Sequence, residues 1–152
     1  MQPAYYEDFN EIKKKIWLML DDAISNRASQ FRIPTFICGD QSDFDGRIVV
    51  LRKSDQHNNT VQFHSDIRSD KIELLKNNPN AALLFYDKDE KIQVRLKVNC
   101  IINHKNEITK NSWEKTQHIS RKCYLVDNGP GTKSDVPTSG LKPELDNFEY
   151  TK

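Results

Sequence analysis

The chain has 152 residues, of which 36% are hydrophobic and 30% are charged, a polar composition for a globular protein. The 23 Lys and Arg residues almost balance the 22 Asp and Glu residues, and the resulting net charge of +1 argues against a protein that coats nucleic acid. No apolar run approaches the roughly 18 residues that a membrane span needs, so we expect no membrane partner.

The first half of the chain predicts one helix and three strands. Apolar residues at helical spacing indicate an N-terminal helix with Asp8 as its cap and Glu11 in the capping-box position. "PTFICG" (34–39) predicts a strand, and "QSDFDG" predicts a turn with Asp45-Gly46 as the tight-turn pair. "RIVVLR" (47–52) predicts a continuous strand with Arg at both ends, and "TVQFHS" (60–65) alternates as a half-buried strand does.

The second half predicts two more strands and two helices. "SDKIELLKNN" (69–78) indicates a short helix capped by Ser69 or Asp70, and "AALLFY" (81–86) indicates a buried strand. A long alternating strand follows at 92–102. The helix predicted at 107–119 turns three apolar side chains inward, namely Ile108, Trp113 and Ile119.

The last 26 residues differ in composition from the rest of the chain. They hold only five apolar residues, three of the five Gly and three of the six Pro, which indicates a loop or a disordered tail. We therefore expect one domain over residues 1–126 and a polar tail over 127–152. Five strands joined mainly by turns favour a mainly β (α+β) fold, with an antiparallel sheet closed into a small barrel.

Several kinds of site are not supported by any motif. Neither GxGxxG nor GxxxxGK[ST] occurs, so no dinucleotide or P-loop site is predicted. The four His and three Cys lack the spacing of metal ligands, and we expect no metal. Three Cys also make no disulfide framework, which favours a reduced, cytoplasmic protein. Cys123 lies five residues after His118, and ordinary packing is a better interpretation of this pair than nucleophilic catalysis.

Basic and hydroxyl residues at the ends of the elements suggest a phosphate pocket without glycine. Ser65 and Ser69 flank a tight loop, and the helix that follows carries Lys71 in its first turn. The positions of Arg47 and Arg52 differ by an odd number. In one strand their side chains therefore point to opposite faces, unless a bulge or a chain end changes the direction of one of them. The alternative interpretation is that these residues are solvated strand ends and a routine helix start.

The order and spacing of these segments resemble a known family. "RIVVLR", "VQFHSDIRSDKIELLKNNPNAALLFY", "IQVRLKV" and "SRKCY" are similar to the pyridoxamine 5'-phosphate oxidase-like FMN-binding split barrels over about residues 10–131. The later "SW...SRKCY...GPG" looks like an uncharacterised subgroup. The resemblance implies a six-stranded antiparallel split barrel with flanking helices. It also implies a homodimer that binds one FMN in each of two clefts between the subunits.

The resemblance also implies which residues bind FMN. The strand Arg47, Ile48, Val49, Val50, Leu51 and Arg52 would line the cofactor, with the two Arg near its phosphate or flavin edge. Ser65 would hydrogen-bond the phosphate or ribityl region, and Lys71 would bind the phosphate beside Ser69. His64 stands where the family often has an aromatic residue. Gln93 would contact the isoalloxazine ring, and Ser120 and Arg121 would reach across from the other subunit.

Two functions follow from these observations. The first is an FMN-dependent oxidoreductase whose small-molecule substrate the sequence does not identify. The alternative is a non-catalytic split-barrel module that binds flavin, haem or another ligand. Two departures favour the alternative: Asp70 stands where the family's oxidases commonly have Arg, and the family's last strand is expected to begin only near "NFEYTK" (147–152).

Overall fold

The structure is a computed structural model that describes residues 6–146. Within this range four strands follow the first helix, two more follow the second, and further helices end the described part of the chain. The elements are α1 (Phe9–Ser25), β1 (Thr35–Gly39), β2 (Phe44–Ile48), β3 (Leu51–Asp55), β4 (Thr60–Phe63), α2 (Lys71–Asn77), β5 (Asn80–Asp87), β6 (Ile92–Asn99), α3 (Glu107–Glu114), α4 (His118–Arg121) and α5 (Pro143–Asp146). Short 3-10 turns lie at 30–32 and 122–124.

The strands form two antiparallel sheets. One has four strands in the order β2-β1-β5-β6, and the other pairs β3 with β4. With the flanking helices they make an antiparallel split β-barrel, and six strands are already present before residue 100. The expected last strand near residue 147 lies outside the described residues.

The core lies between the inner face of the four-stranded sheet and helices α1 and α2. Phe31, Phe36 and Phe85 are completely buried, and the Phe36 ring packs on Phe63 with centroids 4.9 Å apart. Alternation along the strands explains which face is apolar, because every second residue points inward. Leu20 is buried on α1, which begins as predicted at a cap where Asp8 accepts hydrogen bonds from two backbone amides.

The turn predicted at Asp45-Gly46 is wrong. The chain turns earlier, where the Asp40 side chain accepts hydrogen bonds from the amides of Ser42 and Asp43. Asp45 and Gly46 lie inside β2, opposite Cys38 and Ile37 of β1. An Asx-type turn at Asp40 satisfies its own backbone, which leaves Asp45 free to extend the strand.

The single strand predicted over 47–52 is also wrong. It breaks at Val49 and Val50, so Arg47 ends up in the four-stranded sheet and Arg52 in the two-stranded sheet. The Val49 amide donates to the Pro34 carbonyl at 3.0 Å, and the Val49 side chain enters the core. The break is where the chain passes from one half of the split barrel to the other.

The helix predicted over 107–119 is two helices. α3 ends at Glu114, and α4 begins only at His118. The three side chains expected inside are instead 46–70% exposed in the single chain, namely Ile108, Trp113 and Ile119. The polar segment after residue 126 is not without structure, because the Asp127 amide donates to the Gly140 carbonyl at 3.1 Å and α5 follows.

Candidate functional site

Two cations converge on one hydroxyl group. Arg47 extends from β2 toward the inner face, and its Nη1 donates to Ser69 Oγ at 2.8 Å. Lys71, the first residue of α2, donates from Nζ to the same Oγ at 3.0 Å. Ser69 and Lys71 are only 2% and 6% exposed. The structure therefore brings together three of the residues that the resemblance assigns to the phosphate region.

The Lys71 ammonium is buried, and among the described side chains no carboxylate lies within ion-pair distance of it; Asp66 and Asp70 act on it from farther away. Among the described side chains Lys71 forms no ion pair, although Arg47 pairs with Asp45. Burial lowers the pKa of Lys71 and the neighbouring Arg47 lowers it further, while Cys38, Asp66 and Asp70 offset only part of this effect. A buried charge without a counterion is costly, so this position favours an anionic ligand. Helix α2 has only seven residues, and the argument for the site rests on these side chains rather than on the helix dipole.

A second group of residues surrounds Arg52 on β3. Arg52 interacts electrostatically with His64 and with Tyr124, so the three side chains lie near one another. Burial lowers the pKa of the half-buried His64 imidazole, and Arg52 adds to this effect, so the neutral form is favoured. Burial raises the pKa of the Tyr124 phenol. His64 and Ser65 follow the end of β4, and the Ser65 hydroxyl donates to the Asp66 carbonyl at 3.2 Å.

Arg121 lies at the end of α4 against the aromatic side chains of its own subunit. Its guanidinium stacks 4.9 Å from the centre of the Trp113 ring and donates to the Trp113 carbonyl at 2.6 Å. Trp113 in turn meets Tyr124 edge to face, with centroids 5.7 Å apart. Ser120 is half-buried beside it. Through Trp113, Arg121 is therefore linked to Tyr124, which lies near Arg52.

Three guanidinium groups keep an unused donor. The buried Nε atoms of Arg47, Arg52 and Arg121 have no hydrogen-bond partner in the part of the chain that the structure describes. Buried hydrogen-bond donors are nearly always paired, so an unpaired donor indicates an acceptor from outside the described part of the chain. These three residues are the arginines that the resemblance assigns to FMN.

Gln93 is not brought to this cluster. In the sheet register Gln93 lies opposite Tyr86, on the outer face, whereas Arg47 lies opposite the buried Phe36 on the inner face. Ile48 also points outward and is 60% exposed, while Val49 and Leu51 are buried in the core and Val50 is half-buried between them. The candidate residues of one chain therefore occupy two opposite faces of the sheet.

A cavity of about 1240 Å³ opens beside the cluster. It lies between β4, β6 and helices α1 to α3, and most of its wall is apolar. Its lining includes His64, Ser65, Lys71, Trp113 and Tyr124. A pocket with apolar walls and a few convergent polar groups has the usual form of a small-molecule site.

Sequence reasoning missed Asp45 and Asp66, the acidic residues that pair with arginines at the site. Asp45 pairs with Arg47, and the i, i+2 spacing on β2 would have placed both on one face had the turn been assigned correctly. Asp66 and Arg68 form an ion pair at 2.7 Å in the loop before α2. Asp70 occupies the N-cap position without a capping hydrogen bond from its side chain. It is exposed, and its Oδ2 lies near Gly131 rather than in the buried cluster.

The cysteines and histidines form no further centre. Within residues 6–146 no group of three or more His, Cys, Asp or Glu is arranged to hold a metal ion. The Cys123 Sγ donates to the Ser120 carbonyl, and burial raises the pKa of this thiol, which disfavours the nucleophilic thiolate. No helix in the described part of the chain combines the length and apolar character needed to cross a bilayer.

Known proteins share this architecture. Two solved structures are similar in fold: a pyridoxamine 5'-phosphate oxidase-related FMN-binding protein from Nostoc punctiforme PCC 73102, and PhzG from Burkholderia lata 383 in complex with tetrahydrophenazine-1-carboxylic acid. The first is 15% identical with a TM-score of 0.65, over 99% of this chain and 75% of that chain. The second is 14% identical with a TM-score of 0.66, over 89% of this chain and 67% of that chain.

The sequence itself identifies the family. No curated protein matches the chain. Residues 14–104, more than half of its length, match the family described as "Pyridoxamine 5'-phosphate oxidase, FMN-binding domain". The protein is thus an antiparallel split barrel of the FMN-binding kind. It belongs to the pyridoxamine 5'-phosphate oxidase FMN-binding domain family, and its cofactor is FMN.

The side chains of the cluster fit this cofactor. A phosphate group accepts hydrogen bonds from Arg, Lys and Ser, which are the donors gathered at Arg47, Ser69 and Lys71. It would also supply the negative charge that the buried Lys71 lacks. The unpaired Nε atoms provide further donors for polar edges of a cofactor.

Proposed function

We propose that the protein is an FMN-dependent oxidoreductase that works as a homodimer on a small-molecule substrate. The observation that carries the proposal is the convergence of the buried Lys71 and the part-buried Arg47 on Ser69 Oγ, with no ion-pair partner for Lys71 among the described side chains. A buried charge of this kind rarely stabilises a folded protein, so its presence indicates a role in binding. Family membership supplies the cofactor that would neutralise it.

Each candidate residue has a role in this proposal. Lys71, Ser69 and Ser65 hold the phosphate end, and the segment from Arg47 through Ile48, Val49, Val50 and Leu51 to Arg52, which joins β2 to β3, lies along the cofactor. His64, kept neutral by burial and by Arg52, presents a hydrogen-bonding imidazole near the ring system. FMN, when bound, supplies hydride or electron transfer. We assign no catalytic side chain, because the chain's own task is to orient the cofactor and restrict water.

The homodimer is supported by the positions of Gln93 and Arg47. They lie on opposite faces of one sheet, so a single FMN in contact with both must receive Gln93 from a second copy. We propose that Ser120 and Arg121 are contributed in the same way. The outer face also carries exposed apolar side chains that a second copy would cover, namely Ile37, Phe44, Ile48 and Tyr86.

The dimer has a direct test. Phe44 is 83% exposed, so Phe44→Asp is expected to leave the fold of one subunit intact. If this face joins two copies, the substitution buries a charge at the interface and dissociates the dimer. Analytical ultracentrifugation measures the mass, with Phe9→Asp as control because Phe9 is 90% exposed on α1. A wild-type monomer, or a Phe44→Asp variant that remains dimeric, contradicts the proposed interface.

The extent of the domain and its compartment are part of the proposal. The family match ends at residue 104, and we propose that the FMN-binding domain covers residues 1–126 with residues 127–152 as an attached tail. The three Cys are free, which supports a reducing, cytoplasmic compartment.

A second candidate is a split-barrel module that binds its ligand without redox turnover. Asp45 favours it, because its carboxylate pairs with Arg47 and competes for that guanidinium with an incoming phosphate. The two candidates differ in turnover rather than in binding. Asp70 is exposed and its Oδ2 lies near Gly131, but it still acts electrostatically on Lys71, so it remains a reason for the second candidate.

The experiment starts from the absorbance spectrum of the purified protein before and after FMN is added. Oxidised flavin gives a visible spectrum, and binding raises the melting temperature. The bound flavin is then reduced with NAD(P)H or dithionite and reoxidised with candidate substrates. Reduction followed by substrate-dependent reoxidation supports the oxidoreductase. Tight binding with no reoxidation by any acceptor supports the binding module. No FMN binding at all refutes the oxidoreductase and leaves only a module for a ligand other than flavin.

A further inference from the structure

The loop that carries the candidate phosphate residues is fastened to the C-terminal segment by one side chain. Arg68 lies in this loop, one residue before Ser69 and three before Lys71. One edge of its guanidinium faces Asp66, with Nη2 to Oδ2 at 2.7 Å and Nε to Oδ1 at 3.0 Å. The Asp66 side chain is only 7% exposed, so it is a firm anchor for the fork.

The rest of the guanidinium holds the backbone of residues 124–132, which we call the strap. Nη1 donates to the Val126 carbonyl at 2.9 Å and to the Asp127 carbonyl at 3.3 Å, and Nη2 reaches the Tyr124 carbonyl at 3.5 Å. One side chain therefore ties three backbone carbonyls of the strap to the loop before α2. A planar fork with five donors can do this, whereas a lysine cannot.

A glycine allows the strap to lie this close. A Cβ at Gly129 would stand 2.6 Å from the Arg68 carbonyl oxygen and 2.8 Å from the Arg68 Cβ, which is closer than any side chain tolerates. The contact is backbone against backbone and does not relax by moving a flexible side chain. The strap is then closed on itself, because Thr132 donates to the Gly129 carbonyl from both its amide and its hydroxyl.

The strap also carries part of the wall of the cavity. Tyr124, at its first residue, lines the cavity beside Trp113 and is coupled to Arg52. Holding the strap therefore fixes Tyr124 in the wall of the cavity, while the same arginine lies in the loop that leads to Ser69 and to Lys71, another lining residue.

We propose that Arg68 is a positioning residue for the cofactor: through the strap it sets the distance between Lys71 at the start of α2 and Tyr124 in the cavity wall, without touching the cofactor itself. This inference rests on the proposed FMN site and adds to it a role for a residue and a segment outside that site. It predicts that loosening the strap from either side weakens FMN in the same way.

The test compares two substitutions that loosen the strap from opposite sides. Arg68→Lys keeps the charge but loses the fork, and Gly129→Ala keeps Arg68 and pushes the strap away. Both are expected to weaken FMN binding about 10-fold, within the range of typical couplings between sites. Both are expected to speed amide hydrogen exchange in residues 124–132 of the ligand-free protein. Lys76→Gln, an exposed charge on α2, is the control.

The outcomes separate the possible roles of Arg68. If Arg68 bound phosphate directly through its charge, Arg68→Lys would retain much of the affinity and Gly129→Ala would bind normally, which overturns the proposal. Faster exchange with unchanged FMN affinity in both variants also overturns it. If a variant does not fold, Thr132→Val is the milder substitution, because it removes only the hydroxyl hydrogen bond to the Gly129 carbonyl. It is expected to weaken FMN binding less, in the same direction. Unchanged FMN affinity and unchanged exchange would count against the strap. Wild-type protein that binds no FMN refutes the proposed function, whereas the exchange data still report on the strap.

Discussion

Replacing Lys71 by Met should have opposite effects on the ligand-free and the FMN-bound protein. Methionine has nearly the shape of lysine without the charge, and Lys71 is 6% exposed. The substitution removes a buried ammonium whose desolvation costs several kcal/mol. It also removes the hydrogen bond to Ser69 Oγ, worth about 1.5–3 kcal/mol because the donor is charged. Ser69 Oγ still accepts from Arg47, so no polar atom is left unpaired.

The balance of these two effects favours the variant when no ligand is bound. We expect ligand-free Lys71→Met to be more stable by about 1–2 kcal/mol, which raises Tm by about 2–8 °C for a chain of this size. FMN should bind about 10- to 150-fold more weakly, which corresponds to one lost charged hydrogen bond. Such an exchange of stability for function is typical of binding sites.

The pH dependence gives an independent check on the same residue. The pKa of Lys71 is lowered in the folded protein, so between that value and the unfolded value of about 10.4 the unfolded chain binds more protons. Stability of the ligand-free wild type therefore rises with pH across this window, and Lys71→Met should lack this rise.

The assays are denaturant unfolding without ligand and FMN titration by flavin fluorescence. Lys76→Met is the matched control, because Lys76 lies on the same helix with a side chain that is 59% exposed. A ligand-free Lys71→Met variant less stable than wild type would refute the claim that the charge is uncompensated. Unchanged FMN affinity would remove Lys71 from the site.

Two further predictions concern His64 and the core. The pKa of His64 is lowered in the folded protein, so the free energy of unfolding of the ligand-free protein should fall as pH falls from about 6.5 toward the folded pKa. In urea unfolding between pH 5 and 7, His64→Gln should make this dependence on pH flatter. An unchanged dependence would place the imidazole in solvent. Phe36→Ala should cost about 3–5 kcal/mol, since the ring is completely buried against Phe63. A denaturant midpoint close to that of wild type would contradict this packing.

Periodicity in the sequence predicted the elements that depend on one face being apolar. The α1 helix, β1 and β5 were found because their buried residues recur at the period of a helix or strand, and Asp8 marks the cap by its own chemistry. The break at Val49 and Val50 has no such signal. An apolar β-branched run looks the same whether it continues in one sheet or passes into another.

The candidate site was predicted by resemblance more than by pattern. The convergence of Arg47 and Lys71 joins residues 24 positions apart through the fold, which spacing alone does not give. Asp45 and Arg68 were missed for different reasons. Asp45 was assigned to a turn, whereas the contacts of Arg68 span 56–59 positions to a segment whose composition indicates a loop. Contacts of that kind depend on the tertiary structure.

The break between β2 and β3 gives the cofactor a mechanical role. Arg47 belongs to the four-stranded sheet and Arg52 to the two-stranded sheet, and β2 and β3 are joined by only two residues. A ligand held by both arginines would span the seam of the split barrel. Bound flavin would then hold the four-stranded and the two-stranded sheet in one relative position. Loss of the flavin would let the two sheets move relative to each other.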